Sequence, residues 1–227
     1  MRLRSRTASL ALAAFALVAS PLAFADTVVY NNTTTDTEDT LIYSVGPYTE
    51  IGDQIHLGGT DRYATTATVQ FYNNGDTAGT FDATLTLLNV GSPVGSVIGT
   101  YTVTNIAAPL GGVSGFNVDF TGLDTTVPDD LIFVVSVANQ TGTLDLGLDL
   151  FEPPTVGSSD NTFLIVNDGS SYSTLATDHE NVFFELQAST APTGVPEPST
   201  MVTIATALII LAAFIRARRR ADGTQSK

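Results

Sequence analysis

Catalysis and metal binding need side chains that exchange protons, attack carbonyls or donate lone pairs, and this chain offers few places where such groups cluster. Its two histidines are His56 and His179. His179 sits in Asp178-His179-Glu180, and Ser170, Ser171 and Ser173 lie just before it, so the residue types of a Ser-His-Asp relay are present. Their arrangement is not: no G-x-S-x-G elbow exposes a serine at a strand-to-helix turn. Neighbours in an extended triplet also point to opposite sides, which disfavours a shared metal ion. Both histidines are read as structural or surface residues. Glycoside hydrolysis asks for two carboxylates about 5 to 10 Å apart. With 21 of the 23 acidic residues between Asp26 and Val195, some pair will meet that distance by chance, so no catalytic residue is assigned and the chain is read as non-enzymatic.

Calcium is the better-motivated ligand. Hard oxygen donors crowd four expected loops: Asp36, Glu38 and Asp39; Asn73, Asn74 and Asp76; Asp124, Asp129 and Asp130; Asp160 and Asn161. None has EF-hand or calcium-repeat spacing, and Asx-rich turns satisfy their own backbone without metal. The expectation is therefore no cofactor, with a structural calcium as the alternative. Cysteine and tryptophan are absent, which excludes thiolate zinc sites, Cys nucleophiles and disulfides. A sugar-stacking platform would have to come from Tyr30, Tyr43, Tyr48, Tyr63, Tyr72, Tyr101 or Tyr172. Between Asp26 and Val195, Arg62 is the only Lys or Arg. A surface so acidic repels phosphate backbones, so nucleic-acid binding is excluded and an anionic membrane surface is disfavoured.

The elements that must position these groups read as strands. Phe81, Ala83, Leu85 and Leu87 alternate with polar residues, as do Leu144, Leu146, Leu148 and Leu150, so one face should be buried and one wet. Further strands are expected over 28–30, 41–45, 54–57, 64–72, 97–104, 116–120, 162–166 and 182–187. The nearly continuous apolar run 131–137 suits a strand covered on both faces. Ten or eleven short strands, turn signals such as Asn73-Asn74-Gly75-Asp76 and no amphipathic helix predict an all-β, antiparallel two-sheet sandwich, jelly-roll-like, over 26–187. A barrel is the alternative.

The ends carry addresses. Arg2, Arg4 and Arg6 precede an apolar run over 8–18 and the small-residue triplet Ala23-Phe24-Ala25, the pattern of a secretory signal peptide over 1–25 cleaved before Asp26. A retained signal anchor is the alternative. Export machinery and signal peptidase are the implied partners. A linker over 188–194 leads to Val195-Pro196-Glu197-Pro198, which the two prolines hold extended. Residues 199–215 carry no charge and span about 26 Å as a helix, enough for a thin bilayer. Arg216, Arg218, Arg219 and Arg220 follow and predict a cytoplasmic end with the preceding domain outside. Residues 223–227 form a short tail.

The extended Val195-Pro196-Glu197-Pro198, the apolar helix and the arginine cluster over 195–222 together resemble the PEP-CTERM sorting signal. That resemblance implies recognition by exosortase, a membrane enzyme, and association with exopolysaccharide or biofilm matrix. It implies an inner-membrane-anchored precursor with its ectodomain outside the cytoplasm, delivered to the cell surface or medium. Residues 48–55 with 57–62 are also similar to ectodomains carried by PEP-CTERM proteins, a likeness that implies no active site. The readings to be weighed are thus a cell-surface or matrix protein, a carbohydrate-binding module, and a polysaccharide-acting enzyme.

Overall fold

A computed structural model describes residues 26–44, 48–112, 115–160, 162–190 and 206–207. The signal peptide, residues 191–194 of the expected linker, and the sorting motif with its arginine cluster lie outside these residues, while Ala188 and Ser189, expected in that linker, continue the last strand, Phe184–Ser189. Of the expected helix over 199–215 only Thr206 and Ala207 are described, and both are helical. Among the described residues no helix is long and apolar enough to cross a membrane. Residues Ala25–Thr193 form one compact unit.

The described residues of this unit are all-β, with 14 strands among them. They are β1 (Thr27–Asn32), β2 (Asp36–Ile42), β3 (Glu50–His56), β4 (Tyr63–Asn73), β5 (Gly79–Val90), β6 (Val94–Ala108) and β7 (Phe116–Thr126). After these come β8 (Asp130–Ala138), β9 (Leu146–Phe151), β10 (Ser158–Ser159), β11 (Phe163–Asn167), β12 (Tyr172–Ala176), β13 (Asn181–Val182) and β14 (Phe184–Ser189). Two seven-stranded sheets result, and all the pairings within them are antiparallel.

A nested hairpin underlies both sheets. The outermost strands β1 and β14 pair; inside them β3 pairs with β8, then β4 with β7, then β5 with β6. Alternate pairs go to alternate sheets: β14 joins β4, giving the order β1-β14-β4-β7, and β8 joins β5, giving β3-β8-β5-β6. The remaining strands extend these sheets. On one, β9 adds to the far end of β4 and carries β2 and β13. On the other, β11 and β10 add to β3, with β12 at the edge.

Strand periodicity fills the space between the sheets. Phe81, Ala83, Leu85 and Leu87 are all fully buried, as the alternation predicts, and share one core with Phe71, Phe120, Phe184 and Leu186 from the opposite sheet. Aromatic contacts bridge the sheets: Phe133 stacks on Phe184 with centroids 3.8 Å apart, and Phe81 meets Phe71 and Phe116 edge-on at 5.1 and 6.1 Å. Each such ring contributes about 1.5 to 3 kcal/mol by burial. The run 131–137 begins as expected, since Leu131 to Val135 are all buried. Leu131, Phe133 and Val135 face the main core, while Ile132 and Val134 join Leu88 and Ile165 in a second cluster packed by Val94, Phe163 and Tyr172.

Three local expectations change. Strand β9 has no wet face: Gly147 and Asp149 are as buried as the leucines between them. The acidic stretch expected as a loop over 36–39 is part of β2, which pairs Asp36 with Phe151 and Thr40 with Asp149 around a bulge where Glu38 has φ 63°. Low strand propensity is overridden by the pairing that β9 offers, and Thr37 Oγ1 donates to Leu150 O at 2.8 Å. The serine-rich segment after 167 is a hairpin. Asp168 Oδ1 accepts from the N–H groups of Ser170 and Ser171, Gly169 adopts φ 90°, and β12 returns along β11.

Candidate functional site

The structure separates the groups that could have formed a relay. Ser170 and Ser171 belong to the turn before β12, whereas Asp178, His179 and Glu180 follow it, so a five-residue strand of about 17 Å intervenes. His179 takes φ 69° with its Nε2 3.9 Å from Asp178 Oδ1. His56, at the end of β3, places Nδ1 2.7 Å from Asp130 Oδ1 on the surface. Ser158 of β10 is the register partner of His56, and Ser173 lies within β12 opposite Val166.

The expected oxygen-donor loops are mostly satisfied from within. Asn73 is buried; its amide donates to the carbonyls of Thr77 and Pro109, and its Oδ1 accepts from Gly75 N and Asp145 N. Asn74 donates to Asp145 Oδ2. Asp129 pairs with Arg62 and Asp130 with His56. Asp160 Oδ1 accepts from the N–H and hydroxyl of Thr162, and Asn161 lies outside the described residues. Among the described residues no three His, Cys, Asp or Glu side chains are placed to hold one metal ion.

Arg62 is spent internally. Its Nη1 donates to the carbonyls of Gly58 and Asp61 at 3.1 and 2.7 Å, its Nη2 to those of Gly59 and Leu57 at 3.1 and 3.5 Å, and its Nε to Asp129 Oδ1 at 2.7 Å. The segment 57–62 is thus a loop folded around a guanidinium.

Polar chemistry gathers in three other places. The first is the outer face of the β1-β14-β4-β7 sheet, where register sets Asn31, Glu185, Thr68 and Asp119 in one row. Asn31 Nδ2 donates to Glu185 Oε2 and Thr68 Oγ1 to Asp119 Oδ1, and in the next row Gln70 Nε2 donates to Asn117 Oδ1. Asp149 belongs to this sheet too. Burial, then the charge of Asp36, push its carboxyl up to about 6. A flat polar face of this kind can hydrogen-bond sugar hydroxyls. Tyr72 of β4 shares this face with Thr68 and Gln70 and is partly exposed, while Tyr30 and Tyr43 are core residues and Tyr48, Tyr101 and Tyr172 pack against the hydrophobic clusters.

The second place is an acidic rim that sequence reasoning missed, because its members come from separate strand ends. Glu180 meets Asp39 of β2, with Glu152 and Asp178 nearby. Burial, the hydrogen bond with Asp39 and the surrounding charges raise the Glu180 carboxyl to about 7. Raised above its unfolded value, this group stabilises the fold fully below that value, and the contribution is lost as pH rises through about 7. Carboxyl-carbon NMR should follow Glu180 titrating near neutrality, and Asp39→Asn should bring its midpoint down toward the ordinary carboxylate range. An unchanged midpoint would mean that burial alone holds it.

The third is Asp53, on β3 and fully buried. Burial is the main cause that drives its carboxyl well above the usual carboxylate range, with Asp160 adding to the rise and the N–H of Gln54 opposing it.

No family model matches this chain, and neither the curated proteins nor the solved structures contain a match to it.

Proposed function

We propose that this chain is an exported cell-surface or matrix protein whose β-domain, built as a jelly-roll sandwich, is delivered through its C-terminal sorting signal and acts without catalysis. The observation that carries the reading is the succession in sequence of Val195-Pro196-Glu197-Pro198, an uncharged stretch of helix length, and Arg216, Arg218, Arg219 and Arg220. The signal-like N-terminus predicts the same topology. Exosortase is the processing partner, the precursor is held in the inner membrane, and the released domain associates with exopolysaccharide. The nested pairing of β1 with β14, β3 with β8, β4 with β7 and β5 with β6 supports the jelly-roll reading, in which a long hairpin rolls into two sheets.

An acidic domain whose one arginine is already satisfied has few means of gripping an anionic polymer directly. Association with such a matrix is therefore weak and sensitive to salt. The rival reading, a carbohydrate-binding module, is favoured by the polar face around Gln70 and Asn117. A glycan array with the exported protein separates them. The structural reading expects no saturable, sugar-specific signal; a specific signal lost in Gln70→Ala/Asn117→Ala would replace it with the binding module. Turnover of a polysaccharide that disappears in Asp149→Asn would establish an enzyme instead.

A further inference from the structure

An unpaired strand edge presents a row of backbone N–H and C=O groups to which another chain can add, and proteins blunt such edges with charge, shortness or cover. Most edges of this sandwich follow that rule. β7, whose partner is β4, carries Asp119 and Asp124, and β2 carries Asp36, Glu38 and Asp39. β12 has 5 residues, and β1 is bridged through Asn31 to Val156. β6 is the exception: it runs for 15 residues with β5 as its one strand partner among the described residues.

No charge guards this edge. In a chain with 23 acidic residues, the whole stretch between Asp82 and Asp119 holds no Asp, Glu, Lys, Arg or His. Exposed apolar side chains gather here too: Val97 is 60% exposed, Leu110 just past the strand 57%, and Val90, opposite Val94 at the entry to β6, 41%. Register breaks between Val97 and Gly99 and between Val103 and Ile106, where Asn105 takes φ 57°, leave an unbroken ladder over 99–103. Within it Thr100 and Thr102 are exposed, and Tyr101 and Val103 pack against the core. The Tyr101 ring lies back over Gly99, where any Cβ would strike it.

We propose that β6 pairs with β6 of a second copy of this chain, antiparallel over 99–103 about a two-fold axis at Tyr101, so that one sheet of each domain continues into the other. The sequence is suited to pairing with itself. Thr100-Tyr101-Thr102 reads the same in both directions, so an antiparallel ladder sets each Thr100 opposite the partner's Thr102 and brings the two Tyr101 rings together. Charge selects the edge: elsewhere two such acidic domains bring like charges together, whereas β6 lets them close without doing so. The bulges on either side end the ladder. Because the contact uses the same surface on both copies, it closes as a dimer and does not grow into a fibre. The inference does not depend on the route by which the chain is exported.

Sedimentation velocity of the full chain in excess detergent should show a monomer–dimer equilibrium that tightens as sodium chloride rises from about 0.02 to about 0.5 M, because salt screens the repulsion between the two acidic domains. Contacts between opposite charges would loosen instead. Thr100→Glu/Thr102→Glu should weaken the dimer at least about tenfold, since the two-fold axis sets glutamates against each other, and Thr100→Lys/Thr102→Lys should do the same. Mixing the two variants should restore a dimer with one copy of each, because every facing pair is then Glu with Lys. That rescue also shows that both variants are folded. A chain that stays monomeric up to about 1 mM overturns the proposal and leaves the edge to a different partner. A dimer unchanged in the glutamate variant places the contact in the membrane tail or on another surface and overturns it too, as does a mixture that fails to reassociate.

Discussion

Replacing Pro196, Glu197 and Pro198 together with alanine should leave the protein inserted in the membrane but unprocessed, reducing delivery to the surface or medium to background. Three physical elements act in this tail, and each should fail in its own way. On the proposed sorting reading, the prolines should keep Glu197 in an extended segment that an enzyme can grip, since neither proline fits a helix interior. An alanine triplet instead favours helix, which would continue the apolar segment outward and take the recognition element away. The span and the stop signal survive, so insertion persists. Neutralising Arg216, Arg218, Arg219 and Arg220 should instead loosen retention and orientation. A 17-residue span is marginal for the bilayer, and only Lys227 would then hold its cytoplasmic end. Truncation before Val195 should release a soluble exported domain. Fractionation and immunoblotting of wild type and the three variants, in a host with a cognate exosortase, would read all four outcomes. Delivery of the alanine variant at the wild-type level would mean that the tail is an ordinary membrane anchor.

Much of the domain was legible because its core obeys a period of two. Phe81 to Leu87 and Leu131 to Val135 declare their faces in sequence, and both are buried as their patterns require. Strands recruited by pairing were harder to see. Asp36-Thr37-Glu38-Asp39 has the composition of a loop and becomes part of β2 only because β9 offers it a ladder. Asp168-Gly169 is a hairpin signal, but β12 after it is mostly exposed and lacks the apolar alternation that marks a strand. Candidate sites were less legible still, because each depends on side chains distant in sequence. Asp53 lies in Gly-Asp-Gln, which looks like a polar surface stretch. Only alternation with Ile51 and Ile55 turns it inward, and only the pairing of β10 with β3 brings Ser159 opposite Ile55. Glu180 and Asp39 likewise have no spacing that links them, and they meet because β2 joins β9 at the end where the chain enters β13.

Arg62→Ala should cost the domain about 2 to 3 kcal/mol, from the loss of hydrogen bonds made by a charged donor, and lower its melting temperature by about 5 to 10 °C for a unit of this size. The surface ion pair is not the reason. Asp129 is 68% exposed whereas the Arg62 side chain is 20% exposed, and a pair that open to solvent contributes under about 1 kcal/mol. The larger part comes from four backbone carbonyls, those of Leu57, Gly58, Asp61 and Gly59, which the guanidinium gathers and which alanine would leave to find water or rearrange. The same loop is tied to its neighbours by Gly58 N to Val29 O, Leu57 N to Asp129 O and Val127 N to Arg62 O. Disorder there would reach β1 and the entry to β8. Lysine cannot reproduce the fork, because three donors on one nitrogen do not match carbonyls spread around a plane. Arg62→Lys should therefore recover less than half of the loss, and Asp129→Asn should cost little. Chemical denaturation of the three variants decides the matter. If Asp129→Asn is as damaging as Arg62→Ala, the loop is held by the ion pair and not by the carbonyl clamp.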